Sequence, residues 1–284
     1  MKILVTGASG FLGSNLVKEL TKRDHKVIGW DIVTGQDVCD PKLTVENIDA
    51  IFHLACPVDP ANYQEVALPT ILASSQGTYN MLELARKQKA KFLYVSSSEV
   101  YGDSEKLPYI EEDPGIVNTL SERAYYGESK RFGEMMTMVY YNYFKLNARI
   151  VRPFNIYGPG MRYDDSRVIP SFMRSKKEGK RLIVNDLGGS TRTFCYIDDF
   201  TRGIIRAMFY PNTSGQVFNL GSEQSFTMLR LAEMIDSNIK IRRITRFGEQ
   251  KHRRPDINKA RILLNWEPKV RLKKGLEAMW KNYQ

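Results

Sequence analysis

The feature that most constrains this chain is a glycine-rich turn at its start. Gly7-Ala-Ser-Gly10-Phe-Leu-Gly13 stands between a short apolar run, Lys2–Thr6, and a segment of helical period, Phe11–Lys22. At a strand-to-helix junction Gly7 permits a tight turn, Gly10 lets the backbone approach a phosphate, and Gly13 allows close helix packing. Phe11 and Leu12 open the helix, whose N-terminus then faces the anion. In that context the turn is a dinucleotide-binding fingerprint.

The stretches that follow alternate in kind. Residues 26–31, 50–54, 91–96 and 148–152 read as strands, and 70–87 and 122–145 as helices. Alternation of this sort predicts an α/β fold: a Rossmann-type, doubly wound parallel sheet with helices on both faces. The apolar runs ILV, AIFHLA and FLYV suit strands buried on both sides.

From about residue 160 the rhythm loosens into shorter elements: helices over 168–178, 198–209, 227–237, 257–264 and 272–282, and strands over 181–184, 193–197 and 216–220. This divides the chain into a Rossmann domain over 1–162, with a returning segment near 188–222, and a smaller α/β substrate-binding lobe over 163–284. Pro159, Gly160 and the polar stretch to Arg167 read as the hinge.

Charge follows the same division. Of the net +10, residues 1–150 carry 16 Lys and Arg against 19 Asp and Glu, whereas 151–284 carry 26 against 13. A basic second half beside a near-neutral first half points to an anionic ligand. With the arginines scattered and no nucleic-acid module in sight, a small polyphosphate is expected rather than nucleic acid. Cys39, Cys56 and Cys195 are odd in number and widely spaced, which argues against disulfides and a zinc site; no metal is expected. Reduced thiols, no membrane-length apolar run, and an opening MKILVTGASGFLG that reads as a buried strand rather than a leader together predict a cytoplasmic protein with no membrane partner.

Asp31 ends the second strand, where a carboxylate accepts hydrogen bonds from ribose hydroxyls and repels a 2′-phosphate, so NAD is the expected cofactor. About nineteen residues separate Asp31 from the next clear strand, too few for a full helix and a further strand. The crossover after Asp31 is therefore read as shortened, with Gln36-Asp37-Val38 the stub of a third strand and Asp37 near the adenine. His53 falls in a buried strand and is read as a hydrogen-bonded core residue.

Tyr126-Gly-Glu-Ser-Lys130 sets a phenol and an ammonium one helical turn apart. A nearby cation favours the phenolate and is expected to lower the Tyr126 pKa, letting the pair take a hydroxyl proton. Tyr141 and Lys145 repeat the spacing by chance. Context separates the pairs: Tyr126 opens the long helix and follows a hydroxyl-rich strand end, Ser96-Ser97-Ser98-Glu99.

TGASGFLG, HLA, SSSEVYGD, YGESK, RPFNIYGPG and TRTFCYIDD, in that order, resemble the extended short-chain dehydrogenase/reductases, the NAD-dependent epimerase/dehydratase family. The similarity runs nearly to the end, through RRPDINKARILLNWEPKVRLKKGLEAMW. HLACPVDPANY, SSSEVYGD and GPGMRYDDSRVIPSF most resemble the family's UDP-glucuronate decarboxylase branch.

The resemblance implies that Ser97, Tyr126 and Lys130 are catalytic. Sugar 4,6-dehydratases carry Thr-Asp-Glu at the positions of Ser97, Ser98 and Glu99, the Asp acting as acid; decarboxylases carry Thr-Ser-Glu and an Arg in the segment of Arg167; 4-epimerases usually lack the Glu. Ser98, Glu99 and Arg167 thus imply loss of a carboxylate through a 4-keto sugar, with NAD recycled. The alternatives are a 4-epimerase, a 4,6-dehydratase or, more remotely, a non-catalytic NAD-binding protein. The resemblance also implies that Leu54, Ala55, Ser96 and Pro153, with Asp37, Val38, Tyr126 and Lys130, line the cofactor. Asn155, Arg167, Arg192 and Arg253 would then bind a UDP-sugar, and helices 70–87 and 122–145 would pair in a homodimer. The chain departs from the branch's Tyr-Asp-Glu-Gly-Lys at Gly127 and Ser129, and has Ser97 for Thr.

Overall fold

The computed structural model describes all residues except 59–62, 103, 105, 244–250 and 284. In the first half the elements are β1 (Lys2–Thr6), α1 (Phe11–Lys22), β2 (Lys26–Trp30), β3 (Ala50–His53), α2 (Tyr63–Leu72), α3 (Thr78–Gln88), β4 (Lys91–Val95), α4 (Ala124–Phe144) and β5 (Ala148–Pro153). Then come β6 (Ile156–Tyr157), α5 (Val168–Lys177), β7 (Leu182–Val184), β8 (Thr191–Thr193), β9 (Cys195–Tyr196), α6 (Ile197–Phe209), β10 (Val217–Leu220), β11 (Ser225–Thr227), α7 (Met228–Ile235), β12 (Ile239–Ile241), α8 (Asn258–Leu264) and α9 (Leu272–Trp280).

A six-stranded sheet runs in the order β10-β5-β4-β3-β1-β2, parallel throughout. Strand side chains alternate between its faces. Ile3, Val5, Phe52 and Leu93 join α1 and α6 through Leu16, Leu20, Phe200 and Ile204. Leu4, Ile51, Phe92 and Ile150 join α3 and α4 through Met81, Leu82 and Tyr140. The first of these cores runs on without a break into Phe172 of α5 and Leu231 of α7, so the smaller elements share it. Among the described residues these carry three two-stranded pairings, β6 with β9, β7 with β12 and β8 with β11.

Two expectations are corrected. Gln36–Val38 forms no third strand, and β2 is the sheet's edge among the described residues. After β2 the chain makes one 3-10 turn, Ile32–Thr34, capped by the Asp31 carboxylate, and reverses at Gly35 (φ +85°). The Asp37 carboxylate then accepts from the Cys39 amide at 2.9 Å, and the Val38 carbonyl accepts from the Asn80 side chain, so local turns take the place of a ladder. The helix expected to start at Thr70 begins at Tyr63, carries Pro69 inside α2, and passes through a π turn, Ala73–Gly77, into α3. Among the described residues no helix is long and apolar enough to cross a membrane.

Candidate active site

In an open parallel sheet ligands bind beyond the carboxyl ends of the strands. Gly7 follows β1, Asp31 follows β2, Leu54–Cys56 follow β3, Ser96–Glu99 follow β4 and Asn155 follows β5. The parallel register therefore brings these segments to one side of the sheet.

The dinucleotide turn is tightly built. Gly7 has φ +70°, and a Cβ there would lie 2.9 Å from the Ala55 nitrogen. A Cβ on Gly13 would lie 2.0 Å from the Gly7 carbonyl oxygen, while one on Gly10 would meet only that oxygen, at 3.3 Å. Gly10 thus borders open space at the start of α1, where a pyrophosphate can reach the backbone. The Asp31 carboxylate accepts from the amides of Ser9 (2.9 Å) and Val33 (3.2 Å), tying the turn to the end of β2. The Ser96 hydroxyl is buried with no hydrogen-bond partner among the described residues, an orphaned donor at the end of β4. These residues fit NAD. Leu54 and Ala55 present their backbone, their amides donating to the Thr6 hydroxyl, and Pro153 ends β5 beside Leu220. Val38 is buried against the position of Gly77, so it offers only its backbone.

Tyr126 and Lys130 lie on the first turns of α4. The Lys130 ammonium donates to the Val95 carbonyl at 2.9 Å and sits 5.1 Å from the centre of the Tyr94 ring. The phenol of Tyr126 is not lowered as the sequence led us to expect. Burial pushes it up to about 12, outweighing the Lys130 charge and a hydrogen bond with Ser97, with Cys56 and Glu99 also raising it. The second Tyr–Lys pair falls elsewhere: Tyr141 packs at Gly215, and Lys145 donates to the Asn142 carbonyl at the helix end.

Ser97 caps the turn Ser98–Tyr101, its hydroxyl accepting from the Glu99 amide at 3.2 Å. Ser98 is buried. Gly127 has a local reason: a Cβ there would stand 3.1 Å from the Glu99 carbonyl oxygen, so glycine lets α4 lie close on that turn. The Ser129 hydroxyl is turned back onto the Tyr125 carbonyl.

Glu99 is gripped by Arg253 through both carboxylate oxygens, with Nη2–Oε2 at 2.8 Å and Nη1 on Oε1. Burial works to raise the Glu99 carboxyl, but Arg253, aided by Arg123 and Arg192, holds it below the usual carboxylate value. Arg167 is not the arginine on Glu99. Its guanidinium forms a two-pronged ion pair with Asp165 (Nη2–Oδ2 2.6 Å) and lies 5.7 Å from the centre of the Phe11 ring. Arg192 donates to the carbonyls of Thr191 and Lys251. Asn155 adopts a left-handed backbone (φ +41°) and donates from its side chain to the Thr193 carbonyl at 2.8 Å. Arg123, which stands just before α4 and adds its charge at Glu99, is not singled out by any sequence motif. Its only signal there was a cation one turn ahead of Tyr126.

A family model described as the NAD dependent epimerase/dehydratase family matches residues 3–221. UDP-glucuronic acid decarboxylase 4 of Arabidopsis thaliana is 39% identical over 308 aligned positions, which cover 100% of this chain and 69% of the plant protein. Those 308 positions against 284 residues leave at least 24 with no counterpart here. UDP-glucuronic acid decarboxylase 1 of Danio rerio is 37% identical across 97% of this chain and 71% of that protein. Among solved structures, UDP-glucuronic acid 4-epimerase of Bacillus cereus in complex with UDP-glucuronic acid and NAD superposes with a TM-score of 0.85 at 28% identity, covering 100% of this chain and 99% of the other. By the family model and by likenesses that span this chain, it belongs to the NAD dependent epimerase/dehydratase family.

Proposed function

We propose that this chain converts UDP-glucuronate to UDP-xylose and carbon dioxide through a 4-keto sugar, NAD being regenerated within each turnover. The observation that carries the reading is Glu99, held ionised by Arg253 next to Ser98. Eliminating a hydroxyl needs a proton donor beside the leaving group. Neither the Ser98 hydroxyl nor a carboxyl kept charged by arginine is such an acid. Breaking the bond to carbon dioxide in a β-keto acid needs none, because the ketone takes up the electron pair as an enolate, which then gains a proton at C5 from water. The names of the plant and fish relatives point the same way.

The glycine turn, Asp31 and the ends of β3 and β4 would hold NAD, which would supply a reversible hydride acceptor for C4 of the sugar. Tyr126 takes the proton of the 4-hydroxyl, with Lys130 and the Ser97 hydroxyl favouring its phenolate. Ser98, Glu99 and Arg253 face the carboxylate end of the sugar, and Arg192 and Asn155 the diphosphate. Arg167, lying on Phe11 at the start of α1, is read as facing the cofactor's pyrophosphate rather than the sugar carboxylate. Residues 1–162, with β10 in their sheet, form the cofactor part, and 163–284 the nucleotide-sugar part.

Leu68, Tyr79, Phe132 and Tyr143 are exposed along α2, α3 and α4. An apolar surface of this kind supports a homodimer built on these helices, and three unpaired cysteines suit the cytoplasm. A second reading, 4-epimerisation, is favoured by the likeness to an epimerase solved with UDP-glucuronic acid. Incubation with UDP-glucuronate and NAD+, followed by NMR of the sugar product, separates the two. UDP-xylose is expected; the 4-epimer with its carboxylate intact would favour the second.

A further inference from the structure

The last residue of β3, His53, is 1% exposed and joins two hydroxyls. Its Nδ1 lies 2.7 Å from the Thr6 oxygen and its Nε2 3.1 Å from the Thr78 oxygen. The direction of these bonds follows from counting. The Thr6 hydroxyl oxygen already accepts from the amides of Ala55 (3.1 Å) and Leu54 (3.2 Å, an N–H it shares with the Thr6 carbonyl), which occupies both its lone pairs. Its proton must therefore go to Nδ1, so His53 carries its own proton on Nε2 and donates to Thr78. Thr78 in turn donates to the Ala73 carbonyl of the π turn at 3.4 Å.

We propose that His53 is a positioning residue for the dinucleotide: through the Thr6 hydroxyl it fixes the Leu54–Ala55 backbone against the Gly7 turn. The fit there is close, since a Cβ on Gly7 would stand 2.9 Å from the Ala55 nitrogen. A shift of the Leu54–Ala55 segment therefore moves the wall of the phosphate turn. Two influences keep the imidazole neutral and the chain of bonds unidirectional. Burial pushes its pKa down to about 3, and the Lys130 charge acts in the same sense. Tyr94 and Phe92 pack beside the ring, at 5.9 and 6.1 Å between centroids. His53 touches no reacting atom; it acts on the cofactor through Thr6. The proposal rests on the dinucleotide lying along α1, as read above.

The test is calorimetric titration of the intact protein with NAD+, for the wild type and for His53→Phe, Thr6→Val, Thr6→Ser and the double variant His53→Phe/Thr6→Val. Removing either end of the Thr6–His53 bond leaves buried polar groups unpaired, so His53→Phe and Thr6→Val are each expected to weaken NAD+ binding about tenfold. The loss appears in KM for NAD+ more than in kcat. Thr6→Ser, which keeps the hydroxyl, stays within about twofold of the wild type, and the double variant loses no more than either single one. NMR of nitrogen-15 histidine in the wild type shows His53 as the Nε2–H tautomer, a check on the bond direction that needs no variant. No binding by the wild type overturns the cofactor reading and this proposal with it. Undiminished affinity in both His53→Phe and Thr6→Val, or an Nδ1–H tautomer, overturns the His53 proposal alone.

Discussion

Replacing Arg253 with Met tests the grip on Glu99. The change removes both prongs of an ion pair whose arginine side chain is 9% exposed and whose glutamate side chain is 33% exposed. Truncating one partner of a fully buried pair costs about 3–5 kcal/mol. Solvent reaches a third of Glu99, and Arg123 and Arg192 remain to act on it, so the cost here falls to about 2 kcal/mol. For a chain of this size that is a fall in Tm of about 5 °C. The pH dependence has a definite sign. In the wild type the Glu99 carboxyl is depressed, so the pair's stabilisation is full above the unfolded value of about 4.3 and fades as pH falls through the lower folded value. In Arg253→Met burial is the leading influence left and raises the carboxyl. The resulting penalty is full at alkaline pH and vanishes on acidification. Thermal unfolding of both proteins, followed by circular dichroism near pH 8 and again near pH 4, is the assay. The gap in Tm is expected to shrink to less than half at the acid end. A gap independent of pH, or none at pH 8, would refute the reasoning.

Tyr126→Phe is expected to cut turnover about a thousandfold while leaving NAD+ binding by calorimetry intact; near-normal turnover would remove the phenol from the chemistry. Because burial holds that phenol at about 12, the phenolate fraction grows with alkalinity. Stopped-flow sugar oxidation should therefore quicken steadily from about pH 7 to 9, and a flat profile would show that proton uptake by Tyr126 does not limit the step. Gly13→Ala forces a methyl to within 2.0 Å of the Gly7 carbonyl oxygen, so calorimetry should show NAD+ binding lost and Tm lowered, with Gly10→Ala the milder change. Phe132→Glu with Tyr143→Glu places charge on exposed apolar positions of α4, and light scattering should show monomers where the wild type shows dimers.

Much of the fold was legible because buried parallel strands and amphipathic helices leave clean local periods. β1 and α1 have the limits that the apolar run and the helical spacing imply. The shortened crossover was legible too, by counting residues after Asp31, but its conformation was not. A 3-10 turn capped by Asp31 and Asx turns at Asp37 and Asp40 carry the chain through the region of the expected strand stub, and the Val38 carbonyl is held by Asn80, 42 residues away. Within the site, the glycine turn and the Tyr126–Lys130 pair are local patterns and were visible. The partner of Glu99 was not, since Arg253 lies 154 residues further on and nothing in either neighbourhood names the other. Arg167, which the resemblance set beside Ser98 and Glu99 as a residue acting on the sugar, stands at the start of α5, paired with Asp165 and close to Phe11. The Tyr126 phenol was misjudged for a related reason: the spacing displays the helpful cation, while the burial that outweighs it belongs to the assembled fold.

The most direct measurement follows the carboxyl carbon itself. UDP-glucuronate labelled with carbon-13 at the carboxyl group is incubated with the protein and NAD+, and released carbon dioxide and remaining sugar are quantified together. Labelled carbon dioxide equal in amount to UDP-xylose, with no net NADH accumulating, is the expected result. Label retained in a UDP-sugar inverted at C4, or left in unchanged substrate while NAD+ is bound, would contradict decarboxylation as the reaction of this chain.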